Sequence, residues 1–576
     1  MTEMEVAGKG SVDLVLEVNS EASIEACWGA LSDTDRFNAI AGFHYAFQEL
    51  KVEGEPATRL GRGTWLGFLP LTWTERRFRH NAPREMHIVR SFRGSPGKEL
   101  RIHLSLTPAG EGTRVRYAVS VIPRSPLLAP LVRLQLMLEK GKLLGALQAI
   151  ASAAGDPPAL RQLLPPPPLS ADGAAHLDAA LKRVDAPEVV SLLRAWIAEA
   201  PVRDQDHMHP LRLAREWGLP EEDVVRAFLA ATHEGALAIQ WEVICPACRL
   251  PRMELSRLSE VVGGVHCDAC DVSFDPAFPD SLAVSFRPAQ PVREIEIQPA
   301  CLGGPGQRPH VVAEADVFKD RTTELSLDLA VGTYRLRCWP ALPMAVIEVE
   351  EGGDDALPEV KATEAGFKPT QLKVRPGAHL LKVTGAVRRP LDLVVERRFL
   401  PRGVLTGGRV LAMPGGRALL PEGFLDMDTL AEVSRGVVVA LDSRGEVPVD
   451  QLVRPFGAVK PRFLHKRWDG VLACFDDVES ALAGLQAVAE RTPLSAAMDI
   501  GPLVEAMDGD KRVPLGLPLD RAVDLLKTTP LGKLHLPPEA LKDAALLAAL
   551  EARGWAATPV RSTPFEAPSA VGVALG

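Results

Sequence analysis

Two pairs of cysteines carry the clearest chemistry in the sequence. Cys245-Pro-Ala-Cys248 is followed, eighteen residues later, by Cys267-Asp-Ala-Cys270. Two residues between cysteines let both thiolates turn inward on one knuckle. Two knuckles bring four sulfurs to a tetrahedron, which Zn²⁺ accepts with no geometric preference of its own. A shell of four thiolates leaves no position for water, so the expected role is structural. The rival reading is a pair of redox dithiols, which two matched pairs at this distance make harder to sustain. His266 adjoins Cys267 but is not needed as a ligand. Cys27, Cys301, Cys338 and Cys474 are scattered, and a disulfide framework would be unusual in a large cytosolic chain.

The rest of the chain must position that site and any other. At 576 residues it is too long for one core, and the length suggests roughly three to five domains. Charged residues make up 24% and hydrophobic ones 46%, an ordinary globular balance. A net charge of −9 gives no overall pull toward nucleic acid or anionic membrane. The acidic start, MTEMEVAGKGSVD, has neither the basic nor the apolar part of a signal peptide. The apolar runs near 127–138 and 143–154 fall short of the ~20 residues a spanning helix needs. The expectation is a cytoplasmic protein that does not enter a membrane.

Apolar and polar residues alternate in strand-like runs through residues 12–122, interrupted by one helical stretch, Ala22–Ala41, and closed by a long helix, Leu127–Ala154. This order predicts a helix-grip domain over 1–155. The proline-rich 156–170, with PPPP at its centre, reads as a semi-rigid linker. Residues 171–240 read as helices. Within them PLRLAREWGLPEEDVVRAFLAATHEGAL gives a helix, a glycine turn and a second helix opened by Pro220 and Glu221, a winged-helix-like pattern with Trp217 and Phe228 as its core. The second helix begins Glu221-Glu222-Asp223 and offers only Arg226 as a cation, so DNA binding is not expected of it. The zinc ribbon occupies 241–290, strand runs over 291–400 predict a β-sandwich, and Gly-rich 401–434 reads as a connector. Strands and helices alternate through 435–576, with a last helix over Pro538–Arg553, predicting an α/β sheet covered by helices. The overall class is multidomain α+β.

ASIEACWGALSDTDRFNAIAGF (22–43) resembles the opening of START-like (SRPBCC, polyketide-cyclase-like) domains. The resemblance implies an apolar cavity between sheet and long helix, with Trp28, Phe37, Phe43, Trp65, Phe68 and Trp73 either lining it or simply filling a core, and a small apolar ligand.

The C-terminal segment resembles bacterial class III adenylate/guanylate cyclases, which have a ferredoxin-like α/β fold. VVVALDSRG (437–445) is similar to the family's first strand and metal-binding turn, HKRWDGVLACFDDVESAL (465–482) to its hairpin, MDIGPLVEAMDGD (498–510) to the strand reading Ile-His-Thr-Gly-Pro-Val in active members, LGLPLDRAVDLLK (515–527) to the helix reading Val-Asn-x-Ala-x-Arg, and GKLHLPPEAL (532–541) to the closing strand and helix. Cyclases with a START-like domain and an uncharacterised ribbon domain upstream make the resemblance extend over nearly the whole chain. It implies that two Mg²⁺ or Mn²⁺ ions are held by Asp442 and Asp469. It also implies that the base-reading Lys and Asp are replaced by His465 and Val513, and the transition-state Asn and Arg by Asp520 and Asp524. A carboxylate at the arginine position repels the charge developing on phosphorus, and losing one such donor costs about 3–4 kcal/mol. Asp442 and Asp469 are only 27 positions apart, which removes part of the intervening helix.

The expectation is therefore a catalytically impaired cyclase-like signalling protein, sensing a small ligand through its N-terminal domain and pairing with itself or with an active cyclase. The alternatives are a working or partner-complemented cyclase making cAMP or cGMP from ATP or GTP, and a DNA-binding or scaffolding module built on the winged helix and ribbon.

Overall fold

The computed structural model describes residues 10–43, 45–50, 58–65, 69–76, 78–245, 251–255, 265–267, 272–274, 282–295, 304–339, 344–397, 404–412, 430–444, 447–467, 470–508, 511–560 and 570–575. Among them no helix is long and apolar enough to cross a membrane.

The N-terminal strand Val12–Ser20 pairs antiparallel with Gly112–Pro123. The sheet then runs through Gly97–Ala109 and Glu85–Arg93 to Leu69–Glu75, Thr58–Trp65 and Ala46–Leu50. Inward residues such as Leu104, Leu106, Val115 and Val119 alternate with outward ones and meet the long helix Ala129–Ala153 through Val132, Leu136, Leu143, Leu147 and Ile150. The early helical stretch is two helices, Ile24–Leu31 and Thr34–Ile40. The side chain of Asp33 accepts a hydrogen bond from Arg36 N at 3.1 Å and caps the second, so the first stops at Leu31. The linker is not extended throughout: Asp156 caps a short helix, Pro157–Gln162, ahead of the prolines.

The sheet does not end with this region. Arg79–Asn81 pairs with the base of Glu85–Arg93 on one side and with Val311–Val317 on the other, joining both into a single 13-stranded sheet. Polar groups are buried at the seam. Arg79 Nη2 donates to Asp316 Oδ1 at 2.6 Å and also to Asp392, and Arg308 makes two bonds to Glu314 at 2.8 and 2.7 Å. Beyond the seam, Val311–Val317, Leu391–Arg397, Gly332–Trp339, Ala345–Asp354 and Gln371–Val374 face a second sheet of Thr322–Leu329, Gly377–Ala386, Val360–Thr363 and Gly366–Lys368 across one apolar core.

Residues 177–292 share a further core that is not divided between helices and strands. Leu193, Trp196, Phe228, Trp241, Val284 and Phe286 belong to it, and so do Leu405 and Val410 of the connector. The connector is ordered there: Leu405–Thr406 pairs with Leu282–Pro288 and leads into the short helix Gly407–Ala412.

The C-terminal sheet runs Phe463–Lys466, Val471–Phe475, Leu430–Asp442, Ser495–Asp508, Lys533–Leu536, Ala570–Ala574, Ala557–Val560. Val478–Ala489 and Ala544–Ala552 cover one face and Leu517–Thr528 the other. The last of these is the crossover between two parallel strands, Ser495–Asp508 and Lys533–Leu536. The helix between Leu430–Asp442 and Phe463–Lys466 is short: Val449–Val453 and one 3₁₀ turn, Arg454–Ala458. The expected helix Pro538–Arg553 is a 3₁₀ segment, Pro538–Lys542, then a helix restarted at Ala544 by the Asp543 cap.

Candidate functional site

In the C-terminal sheet Asp442 closes its strand and is 3% exposed. Its Oδ1 accepts a hydrogen bond from Arg444 N at 2.6 Å. Arg444 takes a left-handed backbone, φ 56°, which a non-glycine residue keeps only when its surroundings hold it. Here they do. Its side chain turns inward, with Nε donating to Ser495 Oγ at 3.0 Å and Nη2 to Thr529 O, and Nε lies 3.9 Å from Asp442 Oδ2. A buried guanidinium thus stands beside the carboxylate expected to bind metal. A Cβ on Gly470 would lie 2.0 Å from Leu441 O, so the hairpin approaches this strand end only through glycine. Asp469 lies outside the described residues.

The four positions that the resemblance expects to be substituted are distributed as follows. His465 sits on Phe463–Lys466 with its ring stacked on Phe463, centroids 6.1 Å apart. Val513 sits on Lys511–Leu515, and these two strands approach one another. Asp520 and Asp524 are one turn apart on Leu517–Thr528. Asp520 is buried and accepts a hydrogen bond from Thr406 Oγ1. Thr406 belongs to the connector, whose next residue, Gly407, would place a Cβ 2.3 Å from the Trp241 ring. The helix bearing Asp520 is thereby fastened to the core of residues 177–292. Asp499 is fully buried, and burial raises its pKa despite Arg521 Nε donating to Oδ2 at 2.7 Å.

Sequence reasoning missed Arg444 and Thr406. A cation two residues after Asp442 was a visible signal for the first. The second depends on a contact spanning 114 positions, which no local pattern reveals.

In the N-terminal region a cavity of about 260 Å³ opens between sheet and long helix. That exceeds the about 150 Å³ that accepts a benzene ring. Of the six aromatics singled out, Phe43 and Trp73 line it and Phe37 lines a small adjoining space. Trp28 stacks instead on His80 at 6.1 Å. Phe68 and the side chain of Trp65 lie outside the described residues. Arg90 forms one wall, its Nε 2.6 Å from Glu75 Oε2 and its guanidinium 5.0 Å from the Tyr45 ring and 5.2 Å from that of Trp73. The pair cancels its own charge. Burial raises the pKa of both Tyr45 and Tyr117, so both phenols stay neutral on this wall.

Cys245 directly follows the strand Leu237–Ile244, which pairs antiparallel with Pro251–Leu255, and Cys267 ends the strand Val265–Cys267, which pairs antiparallel with Val272–Phe274. Cys245 and Cys267 are buried. Cys248 and Cys270 lie outside the described residues, so the donor set is tested by two members only, and both suit a soft divalent ion in a dry setting. The helix Glu221–His233 turns Val224, Val225, Phe228 and Leu229 into the core, and its first-turn Glu221 is held by Arg409 at 2.9 Å. Its exposed beginning has the wrong charge for phosphate.

A family of unknown function (DUF5939) matches residues 171–303, the stretch built around the shared core just described. No curated protein matches the chain. Among solved structures, the aromatase/cyclase ZhuI from a Streptomyces species is 15% identical over 24% of this chain and 93% of its own, at TM-score 0.21. A Thermus thermophilus protein, TTHA0849, is 17% identical over 25% of this chain and 100% of its own, at TM-score 0.19. A truncated norcoclaurine synthase from Thalictrum flavum is 11% identical over 24% of this chain and 92% of its own, at TM-score 0.20. Scores this low carry no weight for function, and the helix-grip arrangement stands on its own strand pairing and helix packing.

Proposed function

We propose that this chain is a cyclase-like signalling protein that does not make cyclic nucleotide and that senses a small apolar ligand in its N-terminal cavity. The observation that carries the reading is the buried Arg444 guanidinium beside Asp442. It supplies the positive charge that a catalytic Mg²⁺ or Mn²⁺ would bring, and a dication next to it would be repelled. Asp520, in the place of the transition-state asparagine, is engaged by Thr406. Asp524 puts a negative charge where phosphoryl transfer needs a positive one. In this reading Cys245, Cys248, Cys267 and Cys270 hold a structural Zn²⁺ that stabilises the middle module. The fastening of the connector to the Asp520 helix couples that module to the cyclase-like one.

The test is calorimetric. Mn²⁺–ATP and Mn²⁺–GTP titrated into the full chain should give no binding heat, while the apolar probe 1-anilinonaphthalene-8-sulfonate should bind and lose that binding in Leu136→Trp, which fills the cavity. Nucleotide binding that disappears in Asp469→Ala, or probe binding unchanged by Leu136→Trp, would overturn the respective half.

A further inference from the structure

The outer face of the N-terminal sheet, opposite the cavity, carries a cluster that none of the above uses. His87 on Glu85–Arg93 and His103 on Gly97–Ala109 are direct cross-strand partners, and Glu85 lies two residues before His87 on the same face. His103 Nε2 is 3.2 Å from Glu85 Oε2, and His87 Nε2 is 3.4 Å from the same oxygen. The ligand atoms of all three residues lie within 4.8 Å of one another. Atoms bound at about 2.0–2.1 Å to a tetrahedral zinc lie about 3.3–3.4 Å apart. The two carboxylate-to-imidazole separations are therefore already those of a coordination sphere.

A second observation points the same way. His87 is only 9% exposed, and its Nε2 has no hydrogen-bond partner of acceptable geometry although it is directed at this group. A buried ring nitrogen in that state is costly unless something else satisfies it. Arg79, the cross-strand neighbour of His87, is already tied to Asp316 and Asp392, leaving the Glu85 charge uncancelled from that side. The imidazoles stack at 11° with centroids 4.0 Å apart. Converging their lone pairs on one ion requires the rings to turn about the Cβ–Cγ bond, a soft torsion. Glu85 is partly exposed, so water can complete the shell.

From this we infer that Glu85, His87 and His103 form a second metal site, for a borderline transition dication such as Zn²⁺, with one position open to water. It differs from the cysteine pairs in donor type, location and exposure.

The experiment uses the full chain, freed of metal and re-equilibrated with Zn²⁺, then with Co²⁺. Wild type should retain one more equivalent of zinc per chain than Glu85→Gln or His103→Gln. Near-UV circular dichroism should report both variants folded, and the partly exposed Glu85→Gln serves as the readout if His103→Gln is not. With Co²⁺, the variants should lose the weak d–d bands of a nitrogen–oxygen site and keep any thiolate charge-transfer band. Equal zinc content in wild type and folded Glu85→Gln, or identical Co²⁺ spectra, would overturn the assignment.

Discussion

The two ends of this chain treat a potential binding site in opposite ways. At the N-terminal end, sheet and long helix stand apart over Phe43, Tyr45, Trp73 and Tyr117 and leave about 260 Å³ between them. The charge on the cavity wall is already cancelled between Arg90 and Glu75. At the C-terminal end Asp442 closes its strand, but Arg444, Ser495 and Thr529 fill and hydrogen-bond the space around it. An aspartate at a strand end is therefore not by itself an open site. What decides function is whether neighbouring groups leave the residue free to meet a ligand.

Substitutions can break this contrast from either side. The largest effect should come from Arg90→Met, which strands the fully buried Glu75 and should destabilise the N-terminal region by about 3–5 kcal/mol in urea unfolding. Arg444→Met should cost about 3 kcal/mol by leaving Asp442 buried without its cation, and should for the first time allow measurable Mn²⁺ uptake at the C-terminal end. Metal uptake unchanged in that variant would mean that Arg444 does not govern the site. Thr406→Val should cost about 1.5–2 kcal/mol, the value of a hydrogen bond to a carboxylate, and should increase hydrogen exchange in Leu517–Thr528 more than in the N-terminal sheet.

The smallest effect at neutral pH concerns His535, whose pKa is pushed down to about 4 by burial first, with Lys533 and Arg444 adding to it. Because the folded value lies below the ordinary 6.5, the unfolded chain binds more protons between pH 4 and 6.5. The C-terminal module should thus gain stability as pH rises through that window and lose it as pH falls. His535→Gln should flatten that slope in pH-dependent denaturation and change little at pH 7.

Local pattern carried much of this architecture. Alternation through residues 12–122 gave strands where strands stand, and Cys245 and Cys267 lie at strand ends. Local pattern failed where a single polar residue decides an element boundary. Asp33 divides one expected helix and Asp543 another, because a capping side chain ends a run that the apolar periodicity would continue. It failed more completely where distant segments meet. The join of the N-terminal sheet to Val311–Val317 through Ala313↔Asn81 and Glu314↔His80 is an edge pairing across more than two hundred positions. The core shared by 177–292 with Leu405 and Val410 is of the same kind. At the C-terminal site, the positions of Asp520 and Asp524 on one helix were legible. The contacts of Arg444 with Thr529 and of Thr406 with Asp520 were not, since both depend on tertiary approach.

The central claim, that the C-terminal site is occupied by the chain's own residues and does no chemistry, is tested most directly by assaying cyclic AMP and cyclic GMP formation by the purified full chain. The assay should be run with Mn²⁺ and with Mg²⁺, beside Asp469→Ala. No turnover above that control is the predicted result. Turnover in the wild type that vanishes in Asp469→Ala would contradict it and make the Asp442–Arg444 pair part of a working site.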